Sequence, residues 1–145
     1  MATRDELYAK FGITAEAAQL FETELGTLLL FAKGMKGGWH LTPDPDAGRK
    51  LLAEIDSHTL GRLLGRVRGE IEFADELEAE LLSALKARNL LNHGFYERHN
   101  FKIQTDEGRA LMVDDLENLH TELFQIWRKL SAITAACMKV MTDQL

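Results

Sequence analysis

The chain has 145 residues, 46% of them apolar and 28% charged, with a formal net charge of −6. That length suits a single domain spanning 1–145 that buries roughly two thirds of its unfolded surface, and the acidic balance argues against a general nucleic-acid-binding surface. A lone cysteine, Cys137, excludes an internal disulfide framework, and the longest apolar stretch, LGTLLLFA, is far short of a membrane span.

The opening MATRDELYAKFG carries charges where a signal peptide needs an apolar region, so a cytoplasmic protein without membrane partners is expected. Two prolines, with much Leu, Ala, Glu and Lys/Arg, favour helix throughout. A short helix is predicted around Glu6–Phe11, stopped by Gly12. Thr14 then caps a longer one to about Lys33, with Ala17, Phe21, Leu25, Leu28 and Ala32 on one face. The Gly- and Pro-rich GMKGGWHLTPDPDAG reads as a loop of about fifteen residues containing Trp39 and His40. Helical pattern resumes near Arg49 with Leu51, Leu52 and Ile55. In TLGRLLGRVRG the glycines at 61, 65 and 69 share a helix face that would admit another backbone, beside Arg62 and Arg66.

The third long helix is predicted from near Glu70, with a seam of Ala74, Leu77, Leu81, Ala84, Leu91 and Phe95. The last is the clearest. Thr105 is its N-cap and Asp106 and Glu107 suit the helix dipole. Its apolar positions, Met112, Leu116, Leu119, Leu123, Ile126, Leu130, Ile133, Cys137 and Val140, alternate in steps of 4 and 3. With no strand alternation, the expected architecture is all-α, a four-helix bundle with additional short helices. The heptad seam, with Phe124 and Trp127 beside it, offers enough apolar surface to predict a homodimer.

Charge is unevenly placed. Residues 1–61 carry 6 Lys/Arg against 9 Asp/Glu, residues 105–145 carry 4 against 7, and residues 62–104 carry 7 of each, with bases gathered at 62–68 and 86–102. In that last stretch, KARNLLNHGFYERHN, Arg88 falls on the predicted seam between Ala84 and Leu91. A guanidinium keeps its proton, and burying it unpaired would cost several kcal/mol. Asn89 and Asn92 beside it favour a polar cleft over a simple ion pair. His93 follows five residues after Arg88, which on a straight helix separates the two side chains by about 140° and roughly 7.5 Å along the axis. A cleft shared with a second subunit relaxes that separation.

Arg88, Asn89 and His93, in the third long helix of a small helical bundle, resemble the R-N-x-x-x-H motif of the HEPN superfamily (higher eukaryotes and prokaryotes nucleotide-binding domain). The continuation GFYERHN and EGRALMVDDLENLH is also similar to small bacterial proteins of that kind. The resemblance covers the helical layout of most of the chain, but about six residues carry the motif. One departure stands out: some toxin members have Tyr two residues after the His, where this chain has Phe95, its tyrosine being Tyr96.

The resemblance implies a metal-independent endoribonuclease, a toxin or defence component with an antitoxin partner, active as a homodimer and needing no cofactor. An RNA 2′-hydroxyl would attack the neighbouring phosphate. His93 would move the proton, because an imidazole titrates near neutrality. Arg88 would hold the phosphate and stabilise its growing charge, and Asn89 would orient a catalytic partner by hydrogen bonding. Asn92, Tyr96, Arg98, His99 and Lys102 are the candidate RNA-binding residues. The competing reading is a non-catalytic HEPN-like protein using the Arg/His cleft for a nucleotide or a partner. A metal-binding bundle is disfavoured: Glu117 and His120 have the spacing of a di-iron helix but no second Glu-x-x-His follows, and Glu54 and His58 are four apart.

Overall fold

A computed structural model describes residues 1–145. The chain is all-helical: α1 (Arg4–Gly37), α2 (Pro45–Ser57), α3 (Leu60–Glu70), α4 (Asp75–Asn92), α5 (Phe95–His99), a 3-10 turn (Asn100–Gln104) and α6 (Asp106–Asp143). No helix is long and apolar enough to cross a membrane.

Local chemistry sets most helix starts. At α1, the Thr3 amide donates to Glu6 Oε2 and the Glu6 amide to Thr3 Oγ1, each at 3.1 Å, a reciprocal capping box. Asp44 accepts from the Ala47 amide ahead of Pro45, whose fixed φ suits a first helical position. Thr59 caps α3 through the Arg62 amide. Thr105 caps α6 through the Gly108 amide at 2.9 Å, with Asp106 and Glu107 in the first turn, as the sequence predicts.

Several boundaries differ from the sequence reading. Gly12 does not stop a helix and Thr14 caps none, since α1 runs unbroken through both. Thr14 is buried, and its hydroxyl donates to Lys10 O at 2.8 Å and to Leu116 O at 3.4 Å. A glycine costs a helix only about 1 kcal/mol, less than the packing of the apolar residues on either side supplies. The predicted loop also shrinks. α1 continues to Gly37 because the Trp39 indole lies against Gly34 and Gly37, and α2 begins at Pro45. The third long helix begins at Asp75, after an extended connector that leaves Ala74 exposed. On α3, Gly61, Gly65 and Gly69 face solvent and no backbone approaches them.

The residues group into two compact units. The first, 1–21 with 79–127, has a core of Leu7, Ala17 and Phe21 from α1, Leu81, Ala84, Ala87 and Leu91 from α4, Phe95, and Met112, Leu116, Leu123 and Ile126 from α6. The second, 22–78 with 128–145, has Leu25, Leu28 and Leu29 from α1, Leu51 from α2, Leu63, Leu64 and Val67 from α3, and Leu130 from α6. The α6 stripe follows the predicted seam as far as Leu130 and then moves to Thr134. Ile133 and Cys137 are half-buried and Val140 is exposed. A straight helix drifts by about 20° per heptad against a strict seven-residue repeat, so the later seam positions rotate out of the core.

In the second unit, Glu70 closes α3 onto α1 through Lys33 and Lys36, each at 2.8 Å. Those hydrogen bonds outweigh the cost of burial and hold its carboxyl near a pKa of about 2. Because the folded-state value is depressed, the contribution is complete above about pH 4.5, the ordinary carboxyl range, and is lost as pH falls toward 2. Urea melts should therefore show a stability gap between wild type and Glu70→Gln that is widest at neutral pH and closes as acid is added. A gap constant with pH would contradict the assignment.

Two glycine substitutions should move stability in opposite directions. A Cβ on Gly108 would overlap the Lys102 carbonyl, a backbone group that cannot swing aside. Gly108→Ala should cost about 1–3 kcal/mol by denaturant titration. Gly65→Ala, which meets nothing, should gain up to about 1 kcal/mol.

Candidate functional site

Within the first unit, α4 ends where Gly94 takes φ +92°, a conformation that favours glycine. The His93 amide still donates to Asn89 O at 2.9 Å, so helical geometry persists to that amide before the chain turns. The Arg98 amide then donates to Gly94 O at 2.8 Å and α5 begins.

Arg88, Asn89, Asn92 and His93 therefore lie on the last turns of α4 and the first residue beyond it. Arg88 is half-buried; Asn89, Asn92 and His93 are exposed. The Arg88 guanidinium donates through Nη1 to Asn89 Oδ1 at 3.0 Å. The fully buried position is Ala87, one residue before the predicted seam position, with Leu91 following it. Both 87 and 88 continue the stripe from Ala84. Seating the alanine inward avoids immersing a permanent charge, which would cost several kcal/mol.

Of the downstream candidates, the structure brings three together. His99 is buried, and its Nε2 donates to Asp115 Oδ2 at 2.7 Å. Arg98 Nη1 reaches the same oxygen at 2.9 Å. Lys102 Nζ donates to His99 Nδ1 at 3.4 Å. A carboxylate at one ring nitrogen and an ammonium at the other assign the neutral Nε2–H tautomer to His99. The ring packs on Phe95 at 4.7 Å between centroids, and Arg98 lies over the same phenyl ring. His99 thus faces protein on all its polar edges, while the Lys102 and Arg98 side chains remain at the surface.

Tyr96 packs on the same phenyl ring, that of Phe95, and on Phe11. Its ring lies 5.3 Å from both Phe11 and Phe95, and it remains 38% exposed. Partial burial, with Tyr8 near it, raises the phenol above its usual range. A tilted, half-open aromatic ring of this kind is a surface on which a nucleobase can stack.

Asp115 is the residue that sequence reasoning missed. Its one signal was position: it immediately precedes Leu116 of the buried stripe, at the edge where polar side chains can reach inward. The two pairs weighed as metal ligands are otherwise engaged. Glu117 pairs with Lys10 at 3.5 Å and His120 stacks on Phe124. Glu54 accepts from Arg66, with His58 at 3.8 Å, and that hydrogen bond lowers its carboxyl pKa.

Comparison with family models, curated proteins and solved structures gives no match for this chain.

The Gly94 turn yields a direct test of this geometry. Gly94→Ala should cost about 1–2 kcal/mol by thermal or urea unfolding, since an L side chain must enter the left-handed region. Gly94→Asn should lose less, because Asn tolerates that conformation better. Equal losses for the two would argue against the positive φ.

Proposed function

We propose that this chain is a metal-independent endoribonuclease of HEPN type, a four-helix bundle with additional short helices that works as a homodimer. The observation that carries the reading is the Arg88–Asn89 hydrogen bond on the last turns of α4, with His93 exposed just beyond it. One helix end thus offers an oriented guanidinium and an accessible imidazole, the two groups that phosphodiester cleavage needs.

The reaction would proceed by attack of the RNA 2′-oxygen on the adjacent phosphorus. A bond forms between the 2′-oxygen and phosphorus, and the bond from phosphorus to the 5′-oxygen breaks. The products are a 2′,3′-cyclic phosphate and a 5′-hydroxyl. His93 moves a proton to or from the reacting oxygens. Arg88 donates to the non-bridging oxygens as charge builds on them, and Asn89 fixes the plane of the guanidinium. A straight helix would separate positions 88 and 93 by about 140°, and a second copy of the chain would bring the two groups to one phosphate. Asn92, Tyr96 and Lys102, each exposed, would contact the strand, Tyr96 by stacking and Lys102 by charge. An antitoxin that masks this cleft would suit a toxin or defence role.

A second reading, binding without cleavage at the same cleft, is favoured by the net charge of −6, which opposes RNA approach. One experiment separates the two. Purified protein is incubated with a mixed RNA pool in excess EDTA, beside His93→Ala and Arg88→Ala. Wild type should cut, leaving cyclic phosphate ends. His93→Ala should cut about 100- to 10,000-fold more slowly, and Arg88→Ala about 100- to 1,000-fold more slowly, both remaining folded by circular dichroism. Absence of wild-type cleavage over a broad range of RNAs would remove the catalytic reading and leave the binding one.

A further inference from the structure

His93 is exposed and sits between two helices. Its position is set by its neighbours in the chain. Leu91 is buried at the end of α4 and Phe95 at the start of α5, with only Asn92, His93 and Gly94 between them. The α4 side is secure, being the end of an 18-residue helix. The α5 side is not secure by itself. Five residues are far fewer than the roughly 12–15 at which an isolated helix becomes even marginal in water.

α5 is held by contacts at its two ends. Phe95 enters the core at the first position, and His99 follows it one turn later on the same face. Asp115 ties down that second end from α6, taking the His99 Nε2–H and the Arg98 guanidinium on one carboxylate oxygen. Asp115 in turn adjoins Leu116, which is wholly buried. The carboxylate therefore stands on the firmest part of α6, and Lys102 closes the other ring nitrogen of His99.

We infer that the Asp115–His99 pair is a positioning device for His93, fixing α5 and, through the Gly94 turn, the point from which the His93 imidazole projects. This rests on the ribonuclease reading for its kinetic consequence, but not for its geometry. Neither Asp115 nor His99 would touch the substrate. They set where His93, six residues before His99, is presented. Arg88 and Asn89 lie on α4, on the other side of the turn. Loss of the pair should therefore impair the proton-transfer step more than the holding of phosphate.

The test uses the full-length chain with its histidines labelled with 13C and 15N. In wild type, His99 should show the nitrogen shifts of a neutral ring protonated at Nε2. In Asp115→Ala, the His93 ring resonance should shift or broaden, while His40 and His58, in the other compact unit, stay in place. Asp115→Asn keeps an oxygen that accepts from Nε2–H and should restore most of the wild-type His93 signal. His99→Phe keeps the ring against Phe95 and removes both nitrogens. It should reproduce the Asp115→Ala effect, and it serves as the deciding variant should Asp115→Ala not fold. In RNA cleavage, Asp115→Ala should lower kcat by up to about 100-fold, the scale on which small misplacements act, with KM within about twofold and partial recovery in Asp115→Asn.

An unmoved His93 resonance in folded Asp115→Ala or His99→Phe would overturn the inference, as would a loss confined to KM. If wild type does not cleave RNA, the ribonuclease reading fails, and the resonance experiment still decides whether Asp115 places His93.

Discussion

The buried stripe of α6 is the constraint on which the rest depends. Met112, Leu116, Leu123, Ile126 and Leu130 are all essentially inaccessible, and each fully buried side chain of this size contributes roughly 1.5–3 kcal/mol. The same helix supplies the first unit as far as Trp127 and the second from Arg128 onward. Its start is fixed with corresponding care. Thr105 caps it, Gly108 lets the Lys102 carbonyl come against it, and Arg109 reaches back to the carbonyls of Ala2 at 2.7 Å and Ile103 at 2.8 Å. The register of α6 therefore determines where Asp115 stands, and Asp115 is the polar residue on which the α5 region converges.

The polar chemistry of the first unit is economical in its use of that register. A single oxygen of Asp115 takes both His99 and Arg98. Charge-assisted hydrogen bonds of this sort are stronger than neutral ones, and the carboxylate keeps some contact with water, which limits the cost of desolvating it. On the other side of the Gly94 turn the chain behaves differently. Asn89, Asn92 and His93 face outward, and the small Ala87 takes the interior position in place of the arginine beside it. One side of the turn is thus committed to holding structure and the other is left open.

What could be read from the sequence follows from the range of the interactions involved. Caps and apolar steps are local, and so Thr105, the α6 stripe to Leu130, and the Ala17, Phe21, Leu25 and Leu28 face of α1 were all legible. Where the deciding contact came from a distant segment, pattern misled. Gly12 looked like a stop because the carbonyl of Leu116 that receives Thr14 is invisible in sequence. The Gly-rich stretch after Lys33 looked wholly like loop because the packing of Trp39 on Gly34 and Gly37 cannot be counted from composition. The placement of Arg88 and His93 at the end of the third long helix was legible. The tie between His99 and Asp115 was not, since sixteen residues separate them and nothing periodic connects them.

The angular offset of Arg88 and His93 is the point at which local geometry bears most directly on the proposed chemistry. Helical hydrogen bonding persists to the His93 amide, and the turn comes only at Gly94. On helical spacing the two positions are about 140° apart. The proposed chemistry, which needs both at one phosphate, would be served by a composite cleft in which the arginine of one copy meets the histidine of another. Such a cleft is only as exact as the placement of each contributor on its own chain. Asn89 steadies the arginine directly. The histidine has no such neighbour on its side chain, and the anchoring of α5 by Asp115 would give its outward position a defined geometry.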